Sequence, residues 1–230
     1  MFIKLSHNLS ESTPFYSAMP GPSLDQIYDI CKGDPCNSFY FTSSNHAGTH
    51  VDGPRHFNPE GRRIAEYDLS ELVFQHVAVI DIDVREKHLI VPEDLTGCAA
   101  LPDNCELLLL RTGFSRFRMN ATKYVEESPG FSKAAALYLM ERFKNLKALA
   151  VDFVSIAAMA HMDEGCEAHR VFLGCKGYSE RSILLVEDAL LPRQLPFLER
   201  AFLIPWFFDG LDSAPCTLFA ETAFNSKHNV

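Results

Sequence analysis

Apolar positions in this chain gather into short, dense runs separated by turn residues and charges. Runs at 77–82, 106–111, 148–153, 182–187, 201–205 and 216–220 are rich in Val, Ile, Leu and Phe and have the length of strands. Several are apolar on both faces, the pattern of strands buried between layers. Between them the period changes. Across 132–146, Ala135, Leu139 and Phe143 recur at every fourth position, with Lys133, Glu141, Arg142 and Lys144 turned elsewhere, which predicts an amphipathic helix. Residues 24–31 are read as a second helix, with Ser23 as its N-cap, Gln26 closing a capping box, and the turn Lys32-Gly33-Asp34-Pro35 after it. Pro92-Glu93-Asp94-Leu95 reads as a short helix start with proline in the first turn. Strands alternating with helices predict a mixed α/β domain with at least one largely buried sheet, whose strand order the pattern does not reveal.

Length and composition narrow this picture without changing it. The 230 residues fit one large domain, taken here as 1–230, with 47% hydrophobic and 22% charged residues. A formal charge of −9 and the absence of a basic stripe argue against a nucleic-acid partner. The first ten residues are too short in apolar run for a signal peptide, and the longest apolar stretch, 148–160, is interrupted by Asp152 and Ser155. A cytoplasmic protein without a membrane partner is therefore the expectation. Seven scattered cysteines without CxxC pairs read as reduced, structural thiols, although Cys166 and Cys175 flank His169 and are weighed as zinc ligands.

The chemistry concentrates at His46-Ala47-Gly48-Thr49-His50-Val51-Asp52-Gly53-Pro54-Arg55-His56. Two glycines and a proline disfavour a continuous helix, so an extended or turning backbone is expected. Side chains alternate along extended chain, placing His50 and Asp52 on one side, and Gly48 permits a bend that returns His46 toward them. Two imidazoles and a carboxylate form an N,N,O set suited to Zn, Mn or Fe(II). Asn45 and Thr49 could hydrogen-bond the ligands. His56, beyond Pro54, is placed as a proton carrier rather than a ligand.

The segment His46-x-Gly48-Thr49-His50-x-Asp52-x-Pro54-x-His56 resembles the motif of the cyclase-like metal-dependent hydrolases, the family of bacterial kynurenine formamidase and isatin hydrolase. Arg111-Thr112-Gly113-Phe114, Ser128-Pro129-Gly130-Phe131, Val151-Asp152-Phe153-Val154-Ser155 and Gly210-Leu211-Asp212-Ser213-Ala214-Pro215 extend the likeness over most of the chain. The resemblance implies a swivelling β/β/α fold with a β-barrel-like core and flanking helices, and a homodimer or higher homo-oligomer. It implies one or two divalent ions, Zn or Mn, held by His46, His50, Asp52, His169 and Glu187, with His56 as the catalytic acid/base. Phe15 and Tyr16 are implied at the substrate entrance, and Arg111 is weighed as a substrate contact against an internal counter-charge.

The stretch from His169 to Glu187 is longer than in the formamidase pattern, so Glu180 competes with Glu187, and His161 is a further possible ligand. Asp152 and Ser155 are read either as backbone-capping groups or as supports of the site. The implied activity is hydrolysis of an aryl formamide or cyclic amide through a metal-activated water, with no Ser or Cys nucleophile required. A metal-dependent cyclase or dehydratase and a catalytically silent metal-binding module are the rival readings.

Overall fold

The runs of Val, Ile, Leu and Phe become the strands of one long, curled sheet. The structure, a computed structural model, describes residues 1–15 and 20–223. In chain order the elements are β1 (Phe2–Lys4), β2 (Ser23–Tyr28), β3 (Ser38–Thr42), β4 (His50–Asp52), β5 (Val73–Phe74), β6 (Val77–Asp81), β7 (Leu89–Ile90), β8 (Leu107–Arg111), α1 (Ala121–Glu126) and β9 (Gly130–Phe131). Then come α2 (Lys133–Arg142), β10 (Ala148–Val151), α3 (Met162–Phe172), β11 (Leu184–Glu187), β12 (Leu198–Pro205) and β13 (Ser213–Thr222).

The main sheet runs β5-β12-β13-β4-β11-β10-β8-β6, with β1 also paired to β13. Its end strands β5 and β6 are separated in sequence only by Gln75 and His76, so the sheet bends round into a nearly closed, barrel-like wall. Strands β6, β8, β10 and β11 are parallel, whereas β4 is antiparallel to both β11 and β13. Alternation along each strand supplies two cores. Leu107, Leu109, Ala150 and Val186 face the barrel interior with Leu203 and Leu218. Leu108, Leu110, Leu149, Val151 and Leu185 face outward, under Ala135, Leu139, Ala168 and Phe172 of α2 and α3. This is the mixed α/β architecture, with a barrel-like core and flanking helices, that the resemblance implied.

Helix α2 begins where its pattern predicts: Ser132 accepts from the Ala135 backbone N–H as N-cap, although the helix stops at Arg142. The Pro92 segment is a 3-10 helix, Pro92–Ala100. The second expected helix is corrected. Residues Ser23–Tyr28 form β2, paired antiparallel with β3, and only Ile30–Lys32 makes a short 3-10 turn. Leu24 lies opposite Phe41, and the Ser23 hydroxyl that was to cap a helix pairs with Thr42 Oγ1 at 2.9 Å. Cross-strand pairing with aromatic and hydroxyl partners outweighs a local capping pattern. Among the described residues no helix is long and apolar enough to cross a membrane.

Candidate metal centre and active site

The centre is built where β4 lies between β13 and β11. Residues 50–52 are extended, so His50 and Asp52 project from the same face. The register sets Glu187, the last residue of β11, directly opposite His50, which puts its carboxylate on that face too. His46 arrives through Gly48, whose φ of 67° lies in the left-handed region. The turn therefore favours glycine, and a Cβ there would also press on the Leu9 side chain at 3.0 Å. The fifth group, His169, comes from α3, a helix the sequence reading did not foresee. Gly165 lets α3 close on Ile156 and Ala157, where any Cβ would collide with backbone. That approach carries His169 to the edge of the strand face.

The ring orientations are set by backbone. His50 Nδ1 donates to the Gly48 carbonyl at 2.8 Å, and His169 Nδ1 donates to the Gly165 carbonyl at 2.8 Å. A carbonyl only accepts, so each Nε2 is the free, lone-pair nitrogen in the neutral ring, and both point at carboxylates. His50 Nε2 lies 3.6 Å from Asp52 Oδ1 and 3.4 Å from Glu187 Oε2; His169 Nε2 lies 3.7 Å from Asp52 Oδ2 and 3.6 Å from Glu187 Oε1. His46 Nδ1 stands 3.1 Å from Asp52 Oδ1, with its Nε2 3.0 Å from the Ser213 hydroxyl. Glu187 Oε1 accepts from the Ser155 hydroxyl (2.9 Å) and the Ile156 N–H (2.8 Å), which holds the carboxylate in place and leaves Oε2 to face His50.

His50 Nε2 and both Asp52 oxygens are buried without a hydrogen-bond partner among the described residues. Orphaned buried polar atoms cost free energy unless something satisfies them. Burial by itself favours neutral imidazoles. Against it, Asp52 and Glu187 raise His50 to about 9, with help from the Gly48 carbonyl, and raise His169 to about 10. Burial likewise pushes the carboxyls up, but the imidazoles dominate: Glu187 falls to about 2, and Asp52 lies well below the usual carboxylate range. Such a cluster holds positive charge tightly, as protons or as a cation. Three imidazoles and two carboxylates fit a divalent ion of the Zn or Mn kind. Asp52 belongs to two groups of potential ligand atoms, His50–Asp52–Glu187 and His46–Asp52–His56, a disposition compatible with a shared carboxylate.

His56 stands at the open rim, on the turn Pro54–His56, its ring 4.4 Å from that of His46 and 5.9 Å from that of His169. Its Nδ1 is 2.7 Å from Asp212 Oδ2, and this hydrogen bond is the main cause of the lowered Asp212 pKa. Asn45 Nδ2 donates to the other Asp212 oxygen at 3.2 Å and to the Ser213 hydroxyl at 2.5 Å. The His56–Asp212 pair is the arrangement that orients a general base in many hydrolytic sites. Sequence reading singled out the Gly210–Pro215 segment without assigning Asp212, because its partner lies 156 residues away.

Residues 3–158 match the family model Cyclase. The chain belongs to the cyclase family. Over 126 residues it is 32% identical to an uncharacterized protein of Haemophilus influenzae, covering 54% of this chain and 89% of that one. It is 31% identical over 128 residues to a kynurenine formamidase of Bacillus cereus, 56% of each chain. Isatin hydrolase A of Labrenzia aggregata, solved with benzyl benzoate bound, superposes with a TM-score of 0.80 over 96% of this chain and 93% of that chain, at 20% identity. That likeness establishes the shared fold.

Of the remaining candidates of this cyclase-family chain, Arg111, His161 and Glu180 are engaged or exposed elsewhere. Arg111 shares a sheet face with Leu107 and Leu109, opposite the face that carries Glu187, and is engaged by both Asp81 oxygens and the Pro192 carbonyl. His161 Nε2 donates to the Lys87 carbonyl at 2.8 Å, and Glu180 is exposed. Asp152 accepts from the backbone N–H groups of Thr112 and Gly113 and from the Thr112 hydroxyl, whereas Ser155 reaches Glu187 directly. Cys166 and Cys175 are free thiols, and among the described residues the metal-capable groups include neither. Phe15 is half-buried against Gly21; Tyr16 lies outside the described residues.

Asp188, unassigned from sequence, braces the centre from behind. Its φ of 51° is left-handed, an unfavourable state for a non-glycine residue. Arg118 grips its carboxylate through Nε and Nη2, and the buried Tyr124 hydroxyl donates to it at 2.7 Å. The Asp188 carbonyl accepts from the Thr49 hydroxyl at 2.5 Å, tying the residue after Glu187 to the residue before His50.

Proposed function

We propose that the protein is a metal-dependent amidohydrolase that cleaves the C–N bond of an aryl formamide or a cyclic amide. The observation that carries this reading is the convergence of buried, unpartnered His50 Nε2 and Asp52 oxygens beside an oriented His56–Asp212 pair at the rim. The kinship with kynurenine formamidase and the fold shared with isatin hydrolase support the choice of bond and substrate class.

His46, His50, Asp52, His169 and Glu187 would hold the cation, which supplies a Lewis acid able to acidify water toward neutral pH and to polarise a carbonyl. The chain's own groups do the rest. Asp212 accepts from His56 Nδ1, so Nε2 is the basic nitrogen of this residue at the rim. There it takes a proton as water oxygen adds to the carbonyl carbon, and returns it to the nitrogen as the C–N bond breaks. A formamide yields formate and an amine; a lactam opens to one amino acid product. Ser155 and the Ile156 N–H keep Glu187 from rotating, and the Gly48 and Gly165 carbonyls keep both Nε2 atoms aimed inward. No serine or cysteine is needed as nucleophile.

The test is direct. Protein stripped with chelator and reloaded with Zn or Mn is assayed on N-formylkynurenine, isatin and a panel of aryl amides and lactams. Turnover that appears on loading and disappears on stripping is expected. Loaded, folded protein that cleaves no C–N bond in the panel would sink the reading.

A further inference from the structure

A cleft of about 980 Å³ opens at the carboxyl ends of the parallel strands β6 and β8, and none of the groups of the metal centre lines it. Parallel strands commonly seat ligands beyond their carboxyl ends. The volume falls within the range of small-molecule sites, about 300–1,000 Å³. Ile82, Leu190, Leu191 and Pro192 give the cleft an apolar wall.

Against that wall stand five charged side chains and one imidazole. Arg111 is held by both Asp81 oxygens and by the Pro192 carbonyl, so its charge and that of Asp81 offset each other. Arg116 donates to the Gly113 carbonyl at 3.0 Å and has no carboxylate within ion-pair distance among the described residues. Arg193 and Asp83 make no hydrogen bond or ion pair among the described residues. Three guanidiniums against two carboxylates leave a single positive charge, in a chain whose formal charge is −9. His7 does not alter this count, because burial lowers its pKa and leaves the ring neutral at neutral pH. Its Nε2 is buried without a hydrogen-bond partner among the described residues, a cost that a bound polar group would remove.

We propose that this cleft is a second ligand site, for a small organic monocarboxylate with an apolar body. Arg116 and Arg193 hold the carboxylate, since a guanidinium presents paired N–H donors that match its two oxygens. The apolar body lies on the wall of Ile82, Leu191 and Pro192, and His7 offers the nitrogen that now lacks a partner. The surplus of one positive charge suits a monoanion, whereas Asp83 on the same rim repels a dianion such as phosphate. A neutral ligand leaves both guanidiniums without a counter-charge. The site does not depend on which bond the metal centre cleaves.

The test is calorimetric titration of the full-length, metal-loaded protein with benzoate, phenylacetate and hexanoate. Benzamide serves as the neutral arm and inorganic phosphate as the dianionic arm. At least one monocarboxylate should bind with a Kd near or below about 1 mM, and benzamide and phosphate should bind at least about tenfold more weakly. The double variant Arg116→Met/Arg193→Met should weaken the carboxylate about tenfold or more, with Tm unchanged because both side chains are exposed. If it fails to fold, the two single variants carry the test. No monocarboxylate binding up to about 10 mM overturns the proposal. So does affinity that the folded variants retain, which would place the carboxylate on the metal instead, and so does phosphate or benzamide binding as tightly as the acids.

Discussion

Two regions of this molecule are incomplete in opposite senses. At the middle of the sheet, around β4 and β11, polar atoms are buried with no hydrogen-bond partner among the described residues. On the β2–β3 ribbon, aromatic side chains are exposed, with none of the described residues covering them. Each departs from the rule that polar groups are solvated or paired and apolar ones are covered, and each departure points to a missing partner of matching chemistry. The first calls for a compact cation, since three imidazoles and two carboxylates converge on one point. The second calls for an extended apolar surface. A buried cluster of ligand atoms admits only what those atoms recognise, whereas an exposed patch selects by area and shape. The two needs should therefore be separable by mutation.

The largest effect is expected at Asp52, whose two oxygens face His46, His50 and His169. Asp52→Ala removes the carboxylate that all three imidazoles approach and should abolish metal binding, measured by metal analysis, together with turnover. His56→Ala should lower kcat by about 10²–10⁴-fold with the metal content unchanged; loss of metal would make His56 a ligand. Arg118→Met leaves the Asp188 carboxylate buried with one charged partner fewer and should cost about 3–5 kcal/mol in denaturant unfolding. In that variant a fall in metal affinity beyond the fall in stability would show that the Arg118–Asp188 clamp also aims Glu187 and His50.

Acidity separates the regions further. Without a cation, His50 and His169 keep protons up to about 9 and about 10, so a cation binding at neutral pH must displace them. Affinity should rise between pH 6 and pH 8 with release of up to two protons, read by calorimetry in buffers of different ionisation enthalpy. The raised histidines stabilise the metal-free fold fully below their unfolded value near ~6.5, and this is lost as pH rises through about 9 and about 10. Glu187, lowered to about 2, contributes above its unfolded value near ~4.3, and this is lost as pH falls toward about 2. Metal-free protein should therefore be most stable between these limits and weaken in alkali, where loaded protein does not. Equal affinity at pH 6 and pH 8 would show that the cluster holds no displaceable protons. The smallest effect is expected from the ribbon. Phe39→Asp should leave metal affinity within about twofold, because sites without shared partners contribute independently; a larger loss would show that the two regions are coupled.

The sequence-level reading succeeded where interactions are local. The apolar runs marked β6, β8, β10, β11, β12 and β13 of the main sheet but not β1, β4 or β5, and Gly48, His50 and Asp52 could be placed by strand alternation and one glycine turn because they lie within a few residues. The motif likewise marked His46 and His56. The ribbon was misread because Ser23 and Gln26 have the spacing of a helix cap, while what decides their conformation, Phe39, Phe41 and Thr42, lies beyond the turn. Helix α3 was missed although its buried positions, Gly165, Ala168, His169, Val171 and Phe172, recur at helical spacing, because a glycine and a histidine stand among them in place of an unbroken apolar stripe; it forms where Gly165 permits close contact with Ile156 and Ala157.

Sequence alone thus determined the chemical inventory: a histidine–aspartate stretch of ligand type, strands to carry it, and no basic surface. Tertiary structure decided which distant groups meet that stretch. The β4–β11 register put Glu187 opposite His50, the packing of α3 delivered His169, and the return of the chain after β12 set Asp212 against His56. It also left Arg111 on the other face of the sheet from Glu187. The physical reason is the same throughout. Local steric and hydrogen-bond preferences are written residue by residue, but a site made of groups more than a hundred residues apart exists only after strand register and helix packing choose which side chains share a face.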